Sequence, residues 1–298
     1  MRMTDQYLVR QSTPRVARLR LAGSLAWTVA TALALGGSPA QAAPDKQTLV
    51  VCSPGSPGST DEAQPRMDAF AAAISKTAHV PLAAVYDPSD DGGVSRLKAA
   101  GIGMVSLPFF LQHEQALGLH PRLQVVEKGR PALERWALVA QKGKVADAAG
   151  LAGFTIATNI AFAPGFIRGP VLGGFGALPA DVKIVQSAAV LSALRKAANG
   201  DPIAVLLDAT QEASLATLPF GAKLEVIAHS LPVAAGVIAT IDARMPDATW
   251  QALSRSLLGL SKDKAAAETL EAIQLTGFVA LDDKALAAAR KAFADASR

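Results

Sequence analysis

From Thr48 onward, short apolar runs rich in β-branched residues alternate with stretches whose apolar positions recur every three or four residues. The short runs predict strands at Thr48–Val51, Leu82–Tyr86, Met104–Leu107, Leu123–Glu127, Trp136–Gln141, Phe154–Ala157, Lys183–Val185, Ile203–Leu207, Leu224–Ala228 and Gly236–Ile241. Between them, Met67, Phe70, Ala71 and Ile74 share one face of a helix capped by Thr60 or Asp61. Val190, Leu191, Leu194 and Ala198 mark a second helix, opened by Ser187 and closed by Asn199-Gly200. Strand, helix and strand in that order predict an α/β fold with mostly parallel sheets. After Ile241 the pattern is helical, through Trp250, Leu253, Leu257, Leu270, Ile273, Leu286 and Phe293. These helices have no strands of their own to cover, so the chain is expected to return to a sheet built earlier.

The first 42 residues follow another logic. Arg2, Arg10, Arg15, Arg18 and Arg20 precede an apolar stretch from Leu21 to Leu35, then Gly36, Gly37, Pro39 and the small-residue triplet Ala40-Gln41-Ala42. That is the layout of a secretory signal peptide cut after Ala42. The alternative, a membrane anchor, needs about 20 apolar residues. No twin arginine marks a folded-protein export route, and no cysteine stands at the cut to accept a lipid. The expected product is a soluble periplasmic protein acting as a monomer.

Removing that leader changes the charge. Five of the 29 basic and one of the 25 acidic residues lie in it, so 24 of each remain. A neutral mature chain gives no reason to expect a nucleic-acid or membrane-surface partner. Few aromatics and a single cysteine, Cys52, argue against an all-β sandwich, a disulfide framework or a thiolate metal cluster.

Catalytic patterns are sparse. His79, His113, His120 and His229 have no metal-ligand spacing, no G-x-S-x-G elbow exists, and Gly101-Ile102-Gly103 precedes a strand where a dinucleotide fingerprint would follow one. No catalytic residue, metal or cofactor is expected. Binding chemistry is better represented. The loop Pro54-Gly55-Ser56-Pro57-Gly58-Ser59-Thr60 joins a strand to a helix, where glycines let backbone amides approach a ligand. Taken alone, it reads more readily as an ordinary tight turn with a capping serine. Three more strand ends face the same crevice of a parallel sheet: Ser106-Leu107-Pro108-Phe109-Phe110, Thr158-Asn159-Ile160-Ala161-Phe162 and Asp208-Ala209-Thr210. Asp208 is either a ligand contact or a helix cap. The candidate ligand residues are Ser56, Gly58, Ser106, Phe109, Thr158, Asn159 and Asp208.

The order of these segments resembles the phosphate, phosphite and phosphonate type of ABC transporter substrate-binding protein. The resemblance runs through Ala69-Phe70-Ala71, Met104-Val105-Ser106-Leu107-Pro108-Phe109 as a strand entering a proline-containing ligand loop, and Leu138-Val139-Ala140-Gln141-Lys142-Gly143 with Asp147 to Phe154. It continues through Ser187 to Asp208 and Gly277-Phe278-Val279. It implies a two-lobed type II periplasmic binding fold, each lobe a mostly parallel sheet flanked by helices, with a two-strand hinge. Lobe one would hold residues 43–141 and 232–298, and lobe two residues 142–231. It also implies a solute-binding protein that captures a small oxyanion or phosphonate-like ligand and delivers it to an ABC permease. A ligand-sensing partner of a membrane sensor kinase is the alternative, and a secreted enzyme ranks last. The sequence departs from the family where a serine-threonine-serine run is usual, reading Thr158-Asn159-Ile160, and where a tyrosine is common, reading Phe109 or Phe110. Asp208 matches an acid that faces the amine in aminophosphonate binders. Cys52 is either an inert core residue or a soft contact, such as a thiolate for arsenite, which some members of the wider family sense.

Overall fold

The computed structural model describes residues 46–296, so the expected signal peptide lies outside the described residues. Strands and helices follow as β1 (Gln47–Cys52), α1 (Thr60–Ala78), β2 (Leu82–Asp87), α2 (Asp90–Leu97), β3 (Ile102–Ser106), α3 (Leu107–Leu117), β4 (His120–Glu127), β5 (Ala137–Gln141) and β6 (Thr155–Thr158). Next come α4 (Pro164–Phe166), which runs into a π-helical turn at Ile167–Val171, then β7 (Lys183–Gln186), α5 (Val190–Ala198), β8 (Ile203–Leu207), α6 (Ala209–Ala213), β9 (Leu224–His229) and β10 (Gly236–Thr240). The chain closes with α7 (Asp247–Gly259), α8 (Lys264–Ala272), β11 (Leu275–Ala280) and α9 (Asp283–Ala296).

Two sheets form, in the orders β11-β4-β10-β3-β1-β2 and β7-β6-β8-β5-β9. Both are mixed where the sequence predicts mostly parallel sheets, chiefly because the chain crosses between them twice. In the first sheet β1 pairs parallel with β2 and β3, while β10, arriving from the second sheet, lies antiparallel between β3 and β4. In the second sheet β6 pairs parallel with β7 and β8, while β5, arriving from the first, lies antiparallel between β8 and β9. The remaining antiparallel pair is β11 on β4 at the sheet edge.

The strands are legible because most are buried on both faces, which favours continuous apolar runs. Along β1, Leu49 and Val51 enter the core under α1, α7 and α8, whereas Val50 and Cys52 enter a second core on the opposite face. That second core is continuous from Val105 and Val237 through Phe109 and Phe110 to Leu138, Ile156 and Phe166, so one apolar layer joins the two sheets. On the outer face of the second sheet, Val139, Ala157 and Val205 meet Leu194 and Ala197 of α5.

Four expectations need correction. Ala137–Gln141, placed at the end of lobe one, belongs to the second sheet, and the crossing lies upstream in the polar segment 128–136. The all-helical tail contains β11, whose register shifts between Leu275 and Gly277, so the run reads poorly as a strand. The proline-containing ligand loop at Pro108 is the first turn of α3, where proline's missing N–H costs nothing. Leu191, assigned to the buried face of α5, is half exposed, and Ala193, Leu194, Ala197 and Ala198 form that face instead.

The two crossings pair with each other. Glu134 N–H donates to Val233 O at 2.8 Å and Val233 N–H to Glu134 O at 2.9 Å. One residue pair further on, Ser230 N–H donates to Trp136 O and Trp136 N–H to Ser230 Oγ, both at 2.8 Å. The last helices divide between the lobes. Helices α7 and α8 contribute Leu253, Leu257 and Leu270 to the core on α1, whereas α9 packs on α4 and the π-helical turn. Gly169 permits that second contact: a Cβ there would lie 2.3 Å from Ala292 O. Among the described residues, no helix is long and apolar enough to cross a membrane.

Candidate functional site

The loop after β1 is shaped by its glycines and its cap. Gly55 and Gly58 take φ values of +86° and +96°, a region costly to any side chain. Ser59, one residue before the expected cap, closes a capping box. Its Oγ accepts from Glu62 N–H at 3.3 Å while its own N–H donates to the Glu62 carboxylate at 2.9 Å. These bonds from the Ser59 backbone and side chain hold the Glu62 carboxyl below its usual range. Ser56 Oγ donates to Ser53 Oγ at 2.9 Å.

Behind this loop lies a cavity of about 820 Å³. Its lining includes the polar Ser53, Ser56, Arg66, Ser106 and Glu127 with Gly58, and the apolar Val51, Ala63, Met67, Met104, Val125 and Leu275. Ser106 stands at the N-cap of α3 but makes no capping bond, and among the described residues its buried Oγ has no hydrogen-bond partner. Both carboxylates in the lining are engaged, Glu62 by Ser59 and Glu127 by Arg130. Among the described residues, exposed Arg66 is the charged lining residue that makes neither an ion pair nor a hydrogen bond, and it acts on Glu62 only through its field.

Glu127 connects the cavity to an ionic cluster on the first crossing. Arg130 contacts Glu127 at 2.7 Å, Glu134 at 3.2 Å and Asp208 at 3.0 Å, and its Nε donates to Thr210 Oγ1 at 3.0 Å. One guanidinium thus ties the end of β4 in the first sheet to the end of β8 in the second. Three carboxylates on one cation leave an excess of negative charge. Burial, with the fields of Glu127 and Asp208 added against that of Arg130, pushes the Glu134 carboxyl up to about 7. Burial also raises Glu127, with Arg130 opposing and Asp208 reinforcing.

Across the cleft, the loop after β6 is internally satisfied. Thr158, fully buried, accepts from Ile160 N–H at 3.3 Å. The Gln186 carboxamide accepts from Ala161 N–H at 3.0 Å and donates to Asn159 O at 2.8 Å. Gly55 presses against the same carbonyl: a Cβ on Gly55 would lie 1.8 Å from Asn159 O. The loops of the two lobes are therefore in direct contact.

Of the seven residues singled out in the sequence, Ser56, Gly58 and Ser106 meet at the cavity. Asn159 lies opposite that loop through its backbone, and Thr158 supports it from beneath. Asp208 is an N-cap, accepting from Gln211 N–H at 2.9 Å, and is also the partner of Arg130. Phe109 is fully buried against His113, with ring centroids 4.6 Å apart, and does not line the cavity. Cys52 Sγ points under α2, donating to Ser89 O at 3.5 Å and lying 2.2 Å from where a Cβ on Gly93 would sit. Burial, then Asp87 and Asp90, push that thiol well above its ordinary range, so it is held protonated.

Arg130, Glu134, Arg66 and Gln186 were missed. The first two do leave a trace: the segment from Glu127 to Arg135 is a dense run of both charges between two apolar strands. Gln186 could have been found as the residue ending a strand that points at the cleft. Among the described residues, no group of three or more histidines, cysteines or carboxylates could hold a metal ion.

Residues 58–286 match the family described as the ABC transporter, phosphonate, periplasmic substrate-binding protein. The chain belongs to that family. A search of curated proteins returned no match. Solved structures of the same fold include XAC2383 from Xanthomonas citri bound to chloride ion, at 16% identity and TM-score 0.66, covering 84% of this chain and 98% of that one. A binding protein component of an ABC phosphonate transporter from Pseudomonas aeruginosa aligns at 15% identity and TM-score 0.61, covering 85% and 87%. PhnD1 from Prochlorococcus marinus in complex with methylphosphonate aligns at 14% identity and TM-score 0.55, covering 82% and 98%. The fold is the type II periplasmic binding fold, and family members are periplasmic substrate-binding proteins that serve ABC transporters.

Proposed function

We propose that this chain is exported to the periplasm, captures a small solute with an anionic head between its lobes, and presents it to an ABC permease. The observation that carries this reading is the buried Ser106 hydroxyl without a partner, facing the same cavity as Ser56, Gly58 and the unpaired Arg66. A hydroxyl in that position gains a hydrogen bond when a ligand acceptor enters, and Arg66 supplies the balancing charge. The phosphonate named for the Prochlorococcus relative fits that chemistry, but the second lobe offers it less here, because the amides of Ile160 and Ala161 are already taken. The head is therefore gripped mainly from the first lobe, and the loop at Asn159 closes over it.

Binding without turnover suits the lining, since no histidine stands beside its serine hydroxyls among the described residues. The family description names an ABC transporter, and its permease is taken as the partner in place of a sensor kinase. Calorimetry of the purified protein against phosphate, phosphite, sulfate, methylphosphonate and small carboxylates tests the reading. Saturable binding of at least one anion, weakened at least tenfold in Arg66→Gln, is expected. An absence of response across the panel defeats the anion reading.

A further inference from the structure

The cavity is larger and more apolar than an anion site needs. A volume of about 820 Å³ falls in the range that holds drug-sized ligands, whereas methylphosphonate has five heavy atoms. Its polar and apolar parts are also separated. Gly58 and Arg66 are exposed and Ser53, Ser56, Ser106 and Glu127 half-buried, whereas Val51, Met67, Met104, Val125 and Leu275, which line the same cavity, keep only between 5% and 8% of their surface exposed. These five belong to the core under α1 and α8, not to the layer between the two sheets. The wall therefore extends away from the cleft into the first lobe, and every lining residue comes from segments 51–127 and 235–275. Two methionines in it give a surface that adapts to the shape of an occupant.

The geometry points to a solute with a hydrocarbon group: the polar head sits at Ser56, Ser106 and Arg66, and an alkyl or aryl tail lies along Val51, Met67, Met104, Val125 and Leu275. A small oxyanion alone would leave that wall wet, and covering it is favourable in proportion to the apolar area removed from water. The inference rests on the proposed solute-binding role and adds the class of solute.

Calorimetric titration with methyl-, propyl- and hexylphosphonate, with 1-hexanol as the headless control, separates the two claims. Each buried methylene is expected to tighten binding about fourfold, so hexylphosphonate should bind on the order of 50-fold more tightly than propylphosphonate. Methylphosphonate binding with no gain along the series overturns the tail and leaves the anion-binding role standing. Hexanol binding as tightly as hexylphosphonate supports the tail wall and defeats the anionic head. No binding by any of the four overturns both. In Ala63→Leu, which fills the wall from α1, the ratio of hexyl to methyl affinity should collapse. A melting curve establishes that this variant folds, and if it does not, the series on the unaltered protein decides.

Discussion

Glu134 is the group whose replacement most directly tests the electrostatics of the crossing. Its side chain is 1% exposed, shares Arg130 with Glu127 and Asp208, and sits on the backbone bridge between the two crossings. Burial and its acidic neighbours raise it from an ordinary 4.5 to about 7 in the folded protein. Between those values the folded state holds a proton that the unfolded chain has released. The associated stability is therefore fully present below about pH 4.5 and is lost as pH rises through 7. At 1.36 kcal/mol per pKa unit, the loss by pH 8 is about 3 kcal/mol. Glu134→Gln keeps the volume and the acceptor for Arg130 while removing the surplus charge, and Arg130 retains two carboxylates. The variant should match the parent at pH 4 and exceed it by up to about 3 kcal/mol at pH 8. Urea unfolding at both values, followed by fluorescence and circular dichroism to verify a single transition, measures the difference. A variant less stable than the parent at pH 8 would refute the reasoning, because the pairing with Arg130 would then outweigh the desolvation of Glu134.

Two glycines make further predictions. Gly55→Ala places a Cβ 1.8 Å from Asn159 O at a φ of +86°, so the lobes must separate. Ligand affinity should fall at least tenfold and small-angle scattering should report a larger radius of gyration, and unchanged values of both would exclude this contact as the closing one. Gly169→Ala drives a Cβ to 2.3 Å from Ala292 O and should loosen α9, costing about 1–3 kcal/mol and exposing that helix to proteolysis. An unaltered melting temperature and cleavage pattern would count against it.

The parts that were legible in the sequence share a physical cause. Ile203–Leu207 is wholly apolar because Ala204 and Leu206 face one core while Val205 and Leu207 face another, and no other element of that length suits two-sided burial. Met67, Phe70, Ala71 and Ile74 are all buried because a long helix on a sheet must hide one stripe. Local chemistry misled where its signal has two meanings. Pro108 opens a helix as readily as it shapes a loop, and that choice decides whether Phe109 meets a ligand or the core. Asp208 is two-valued in the sequence, since a carboxylate that ends a buried strand reads alike as a ligand contact and as a helix cap, and only the structure shows it bonded to Gln211 N–H and Arg130.

The sequence by itself determined the alternation of strands and helices, the buried face of α1 and the glycine-shaped loop after β1, because each is set by residues near one another in the chain, and it pointed to a binding-protein family through the order of its segments. Which sheet β5 joins, that Arg130 gathers Glu127, Glu134 and Asp208, that Gln186 accepts from the Ala161 amide opposite Gly55, and that apolar residues line the cavity beside Ser106 were decided by the tertiary structure alone. Each of these depends on where the two crossings lie. A charge or an amide finds its partner, and an apolar residue its neighbour, only after separate segments have been brought to one place.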